Sequence, residues 1–207
     1  MPRPLPRSFY ARDTLAVARE LLGAVLVRRL GRATLRARIV ETEAYVGEED
    51  KACHARAGRT ERTEVMYGRP GVAYVYLTYG MHHLLNAVTE PKGRPAAVLI
   101  RAAEPIEGLG KMARARGGDD STPAHTLASG PAKLCQAFGL DLRHNRTDLV
   151  GEELWIEAGE RYADHQVARS ARIGCRTAPA PWDLMPWRFF IAKSRFVTPG
   201  RPPQNSG

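Results

Sequence analysis

Apolar and polar positions along the 207-residue chain recur with two periods, and the periods predict its elements. Leu15, Ala18, Leu21 and Leu22 fall on one helical face. Asp13 can cap that helix over residues 14–22, and Gly23 stops it. Residues 24–30 then read as a strand, residues 31–34 as a turn, and the residues up to Gly47 as a long second strand. Residues 48–70 are charged, lack a period and are expected to form a loop. Residues 71–78 alternate again, with Tyr74 and Tyr76 on one face. Tyr79-Gly80-Met81 falls where a turn belongs, and residues 82–89 return. Residues 96–102 are apolar except for Arg101, the pattern of a buried strand. Residues 106–116 have helical spacing. A further helix opens at Pro131, with Ser129 or Gly130 as its cap. Residues 154–157 and 187–192 read as strands.

The informative places are where this pattern breaks. By simple alternation Leu35, Ala37, Ile39, Glu41, Glu43 and Tyr45 share one face of the long strand, and Arg36, Arg38, Val40, Thr42 and Ala44 share the other. The first face begins apolar and ends in two carboxylates and a phenol. Such a break often marks a functional site, because a desolvated carboxyl suits general acid or base work. Two carboxylates that merely pair with arginines fit the pattern equally well. Arg101 needs a partner in its apolar run, and Glu41 or Glu43 would serve. Tyr79 and Met81 at a hairpin tip fit either an interaction wedge or packing against another element. Lys133 at a helix start fits either a phosphate contact or an ordinary first turn.

Charge changes the picture. Lys and Arg total 31 against 22 Asp and Glu, giving a net charge of +9 and a pI near 9.9. Only five of the 31 are lysine, leaving 26 arginines. Arginine binds phosphate bidentately and stacks on rings, so a polyanion is the expected partner, nucleic acid first. Arg169, Arg172 and Arg176 form a basic run. Cys53, Cys135 and Cys175 have neither zinc-ligand spacing nor a disulfide framework. No HExxH, CxxC, GxGxxG, GxxxxGK[ST] or G-x-S-x-G occurs, so neither a metal nor a cofactor is expected. The first residues lack an apolar leader core, and no apolar run approaches ~18 residues. Those features predict a cytoplasmic protein with no membrane partner. The length predicts one domain over 1–207, with 1–12 and 198–207 as flexible ends.

Carboxylates on an apolar side, a buried arginine, a histidine loop, tyrosines and a basic surface suit hydrolysis of a glycosidic bond in a nucleic acid. Tyrosine and histidine can stack on a flipped base. A Glu can activate water and stabilise an oxocarbenium ion. A wedge can fill the hole that the flipped nucleotide leaves. A damaged-DNA binding protein without activity and an RNA-directed protein are the alternatives.

Several motifs occur in one order: Ile-Val-Glu41-Thr-Glu43-Ala-Tyr45, Ala-Cys-His54, Gly71-x-x-Tyr-Val-Tyr76-x-x-Tyr79-Gly80-Met81, Asn86, Leu-x-Arg101-Ala-x-Glu104-Pro and Ser129-Gly130-Pro-x-Lys133-Leu-Cys-Gln. Together they closely resemble the alkyladenine (3-methyladenine) DNA glycosylase family of vertebrate type, from about Leu15 to Ala192. The resemblance implies a single α+β domain, built on a curved antiparallel sheet with surrounding helices and a protruding β-hairpin. It implies a monomer acting on double-stranded DNA with damaged purines, without a metal. Glu43 resembles the base that activates water, and Arg101 its partner in holding that water. Tyr45, His54 and Tyr76 resemble the walls of the base pocket, with backbone near Ala52 reading the base edge. Asn86 resembles the gate against guanine, and Tyr79 the intercalating wedge. Ser129, Gly130 and Lys133 resemble phosphate contacts, and Met66 a position on the wedge side of the DNA. Glu41 is assigned to structure. Residues 56–69 and 172–187 depart from the family pattern.

Overall fold

The computed structural model describes residues 3–198. Strands β1 (Val25–Leu30) and β2 (Ala33–Val46) form the expected hairpin. Its turn works because Gly31 takes the left-handed backbone (φ 59°) that most residues avoid. The other edge of β2 carries β5 (Ala96–Glu107), followed outward by β4 (His82–Val88) and β3 (Ala73–Thr78). Beyond β1 lies β6 (Leu154–Glu157), and the order is β3-β4-β5-β2-β1-β6. Strand β8 (Arg188–Ile191) pairs with β7 (Val167–Ser170) and with β2 at Glu41–Glu43. All of these pairings are antiparallel and the sheet is open. With helices α1 (Arg7–Tyr10), α2 (Thr14–Glu20), α3 (Leu109–Ala115), α4 (Ala124–Leu127) and α5 (Pro131–Phe138), the fold is α+β.

Helix α2 starts where its pattern predicts but ends at Glu20 rather than residue 22, and Val17 is buried where the pattern puts Leu15, Leu15 being only partly so. Asp13 accepts the Ala16 N–H at 2.8 Å, and Val17, Ala18, Leu21 and Leu22 are buried in the main core. Each large apolar side chain buried in this way stabilises the fold by roughly 1.5–3 kcal/mol. The Thr42 hydroxyl donates to the Ala18 carbonyl at 2.8 Å and fixes the helix over β2.

The alternation expected along β2 fails at one place. Ile39 pairs with Ala103 but Glu41 with Ala102, so Val40 is an extra residue on β2. Thr42 then pairs with Ile100, so Arg101 is an extra residue on β5. These are β-bulges, which re-aim the side chains around them. Ile39 and Val40 both join the main core, and Ala44 follows Val40 there. Leu35, Ala37 and Ile39 therefore do not share a face with Glu43 and Tyr45. Tyr45 packs instead on a second cluster made by Cys53, Met66, Tyr74 and Ala97.

Other expectations are corrected as well. Residues 106 and 107 extend β5; Gly108 (φ 81°) separates them from α3, which begins at Leu109. Residues 3–12 are docked rather than flexible. Leu5 N–H donates to the Ile156 carbonyl at 2.7 Å, Arg7 bonds both Asp148 oxygens, and Tyr10 is fully buried. Residues 199–207 of the expected flexible tail lie outside the described residues. Arg172 in the basic run is buried, not part of a surface strip. Among the described residues no helix is long and apolar enough to cross a membrane.

Candidate active site

A cleft of about 280 Å³ opens beside the β3–β4 hairpin, against β5 and the residue 52–54 loop. Tyr45, Ala52, His54, Met66, Tyr76, Tyr79, Asn86 and Arg101 all line it, so eight of the residues singled out from the sequence converge on one place. Residues 173–175, from the 172–187 segment that departs from the family pattern, complete its wall.

Glu43 lies directly beneath this wall and is fully buried. Its Oε2 accepts from the Tyr45 hydroxyl at 2.8 Å and from Arg101 at 3.2 Å, and its Oε1 accepts the Ile173 N–H at 2.7 Å. An ionised carboxylate has about four acceptor positions, and among the described residues the Ile173 N–H is the one partner of Oε1, which leaves a position there. Arg101 is held from the other side by Glu41 Oε1 at 3.0 Å. Glu41 also accepts from Arg188 at 2.6 Å and from the Thr198 N–H at 2.7 Å. The Arg101 bulge lets one guanidinium bridge two carboxylates of one strand.

The aromatic walls are rigid and uncharged. His54 meets Tyr76 edge-on, with ring centres 4.5 Å apart, and its Nδ1 lies 2.9 Å from the Tyr74 hydroxyl. Burial, aided by the charges of Arg62 and Arg56, lowers the His54 pKa to about 4, so its ring is neutral at neutral pH. Burial and the neighbouring Glu43 push the Tyr45 phenol well above its ordinary range, so it keeps the proton that it donates to Glu43. Asn86 is 4% exposed, and its amide donates to the Tyr74 carbonyl at 3.0 Å, which fixes its orientation.

The hairpin tip is a tight turn in which Met81 N–H donates to the Thr78 carbonyl. Both central residues are left-handed, Tyr79 at φ 50° and Gly80 at φ 69°. Gly80 fits that turn, whereas Tyr79 is strained in it, a cost of order 1–3 kcal/mol. The conformation holds Tyr79 87% exposed at the rim of the cleft. The packing alternative for this tip is thereby excluded for Tyr79.

The three expected phosphate contacts lie outside the cleft, and Met66 lies within it. Met66 is 2% exposed within the cleft wall, not on an outer surface. Ser129 bridges Ala102 through its backbone and is 7% exposed. Gly130 caps α5 without a side-chain bond, and Lys133 is partly exposed on its first turn. None of these three lines the cleft. Sequence reasoning missed Ile173, Cys175, Arg188 and the Asp50–Arg172 pair. In the sequence Arg172 stands out only as a member of the basic run, Cys175 only as one of three scattered cysteines, and Ile173 only as part of the divergent 172–187 segment.

Such a site can grip a planar ring between aromatic side chains and deliver polar attack at its edge. A family model described as Methylpurine-DNA glycosylase matches residues 8–195. A protein of Myxococcus xanthus is 49% identical over 199 residues, covering 96% of this chain and 95% of its own. One of Methanocella arvoryzae is 50% identical over 199 residues, covering 96% and 97%. One of Alkaliphilus oremlandii is 47% identical over 200 residues, covering 94% and 98%. All three carry the provisional name 3-methyladenine DNA glycosylase. The protein is a DNA glycosylase, a hydrolase acting on N-glycosyl bonds. Within that class the chain belongs to the methylpurine-DNA glycosylase family.

Proposed function

We propose that this chain acts as a monomer and removes damaged purines from duplex DNA by flipping them and hydrolysing the glycosidic bond. The observation that carries this reading is the stacking of three features: an exposed Tyr79 at the rim, an aromatic slot below it, and Glu43 with Arg101 under the slot. Tyr79 enters the stack as the nucleotide leaves, offsetting an unstacking cost of a few kcal/mol. The family resemblance sets the base between Tyr76 on one side and Tyr45 with His54 on the other. The His54 and Tyr76 ring centres, however, are 4.5 Å apart, too close to admit a base. Here it lies against Tyr45 on one side and against His54 and Tyr76 on the other. Backbone near Ala52 meets the base edge, and Asn86 stands against an exocyclic amino group of guanine. Lys133 and the backbone at Ser129 and Gly130 hold phosphate.

Glu43 takes a proton from water at its free acceptor position as that water attacks the anomeric carbon. Its charge also stabilises the oxocarbenium ion. Arg101 keeps the carboxylate and the water in register. Among the described residues no lysine lines the cleft to supply an amine for a covalent intermediate, and the product is an abasic site with an intact strand. Cationic 3-methyladenine and 7-methylguanine gain about 0.5–2 kcal/mol from the aromatic cage and depart as neutral bases. Neutral hypoxanthine and ethenoadenine need a proton on leaving. A neutral His54 and protonated phenols are weak acids, so these two are the slower substrates.

Product analysis tests the reading. Duplex carrying one 7-methylguanine should release the free base and be cut only after alkali. Nicking without alkali would overturn the monofunctional assignment, and lesion binding with no alkali-labile product would overturn the hydrolytic one.

A further inference from the structure

Arg172 is a buried cation that the proposed mechanism does not use. Its side chain and that of Asp50 are both fully buried, and they come from positions 122 residues apart. The guanidinium forks onto Asp50 at 2.5 and 2.8 Å. It also donates to the Ala44 carbonyl at 2.9 Å and to the Trp182 carbonyl at 3.2 Å. Its Cζ lies 4.7 Å from the centre of the Tyr45 ring and 5.0 Å from the centre of the Trp187 ring. Asp50 in turn accepts the backbone N–H groups of Val46 and Ala52.

The next residue in the chain, Ile173, donates its N–H to Glu43. Residues 171–187 contain no helix or strand, so no backbone ladder fixes that donor. The Arg172 side chain ties the segment to Asp50 and, through the Ala44 carbonyl, to β2 one residue beyond Glu43. The geometry points to Arg172 and Asp50 as positioning residues that set the Ile173 N–H on Glu43 and so orient the carboxylate for attack. This rests on the reading of Glu43 as the base. An ion pair that served folding alone would need neither the contact with Tyr45 nor its place beside the donor.

Arg172→Lys separates the two roles. Lysine keeps the charge but lacks the fork, while Asp50 retains its bonds to Val46 and Ala52. The pocket loop therefore stays in place, and the 173–182 segment loosens. Under single-turnover conditions on 7-methylguanine duplex, the maximal rate should fall about 10- to 100-fold, the scale of a small misplacement, with the half-saturating enzyme concentration changed by less than about threefold. The active fraction, titrated with duplex, should match wild type. Asp50→Asn, which preserves shape, should show the same split to a smaller extent and serves if the lysine variant does not fold. An unchanged maximal rate in both variants would overturn the inference, as would a fall that only tracks the active fraction or the binding. Glu43→Gln, assayed alongside, distinguishes the two failures. If it cleaves at the wild-type rate, the reading of Glu43 falls and this inference falls with it; if it is inactive while both clamp variants are normal, only the clamp is wrong.

Discussion

Glu41 and Glu43 stand two residues apart on one strand, are equally buried, and both hold the Arg101 guanidinium. Each accepts three hydrogen bonds among the described residues. They differ in where those partners lead. Glu41 bonds Arg188 and the Thr198 backbone, neither of which reaches the cleft. Glu43 bonds Tyr45 and Ile173, and both line it. Burial and pairing alone thus do not distinguish a catalytic carboxylate from a structural one. The distinguishing feature is whether its partners face a space that a substrate can enter. Glu41, backed by a second arginine, makes Arg101 a fixed point on which Glu43 is aligned.

The comparison can be broken most sharply by kinetics. Glu43→Gln should lower the maximal excision rate by about 10²–10⁴-fold, the range for a lost general base. Glu41→Gln should act on stability instead. It leaves two buried guanidiniums short of charge, a loss of about 3–5 kcal/mol readable as the shift of a denaturant midpoint. Comparable kinetic losses in both variants, at equal folded fractions, would erase the distinction.

Away from the carboxylates the expected effects shrink. Tyr79→Ser should weaken lesion-duplex binding by roughly tenfold while leaving the saturated rate nearly intact, since the wedge acts on flipping. Serine keeps the left-handed backbone and its strain, and the tyrosine ring is exposed, so the melting temperature should not change. His54 gives a pH signature. Its folded pKa of about 4 lies below the usual 6.5, so the unfolded chain binds the proton more readily between those values. The stability contributed is present above about pH 6.5 and is lost as pH falls through about 4; His54→Asn should flatten that limb of a melting curve series. Smallest is Lys133→Ala. It should reduce the slope of log affinity against log salt by about one, with no lesion preference lost. An unchanged slope would remove Lys133 from the phosphate contacts.

Local chemistry explains how much of this could be read from the sequence. Asp13, Gly31 and Gly80 act through neighbours a few residues away, so the first helix and both hairpins were legible. Glu41, Glu43 and Arg101 stood out because each violates an apolar pattern. The bulges at Val40 and Arg101 were not legible, since register is set by how two strands meet rather than by either alone. Arg172 was hidden for a related reason. Nothing in its neighbourhood shows that Asp50, far away in the chain, removes it from the surface. The N–H of Ile173 carries no side-chain signal at all, yet it is one of three groups that orient Glu43.

One experiment bears most directly on the claim that Glu43 and not Glu41 performs the chemistry. Glu43→Gln and Glu41→Gln are mixed in excess with a duplex bearing one 7-methylguanine, and binding and alkali-labile sites are followed in the same samples. The folded Glu41 variant should bind and cleave, while the Glu43 variant should bind and yield almost no cleavage. Cleavage by the Glu43 variant at the wild-type rate would contradict that claim.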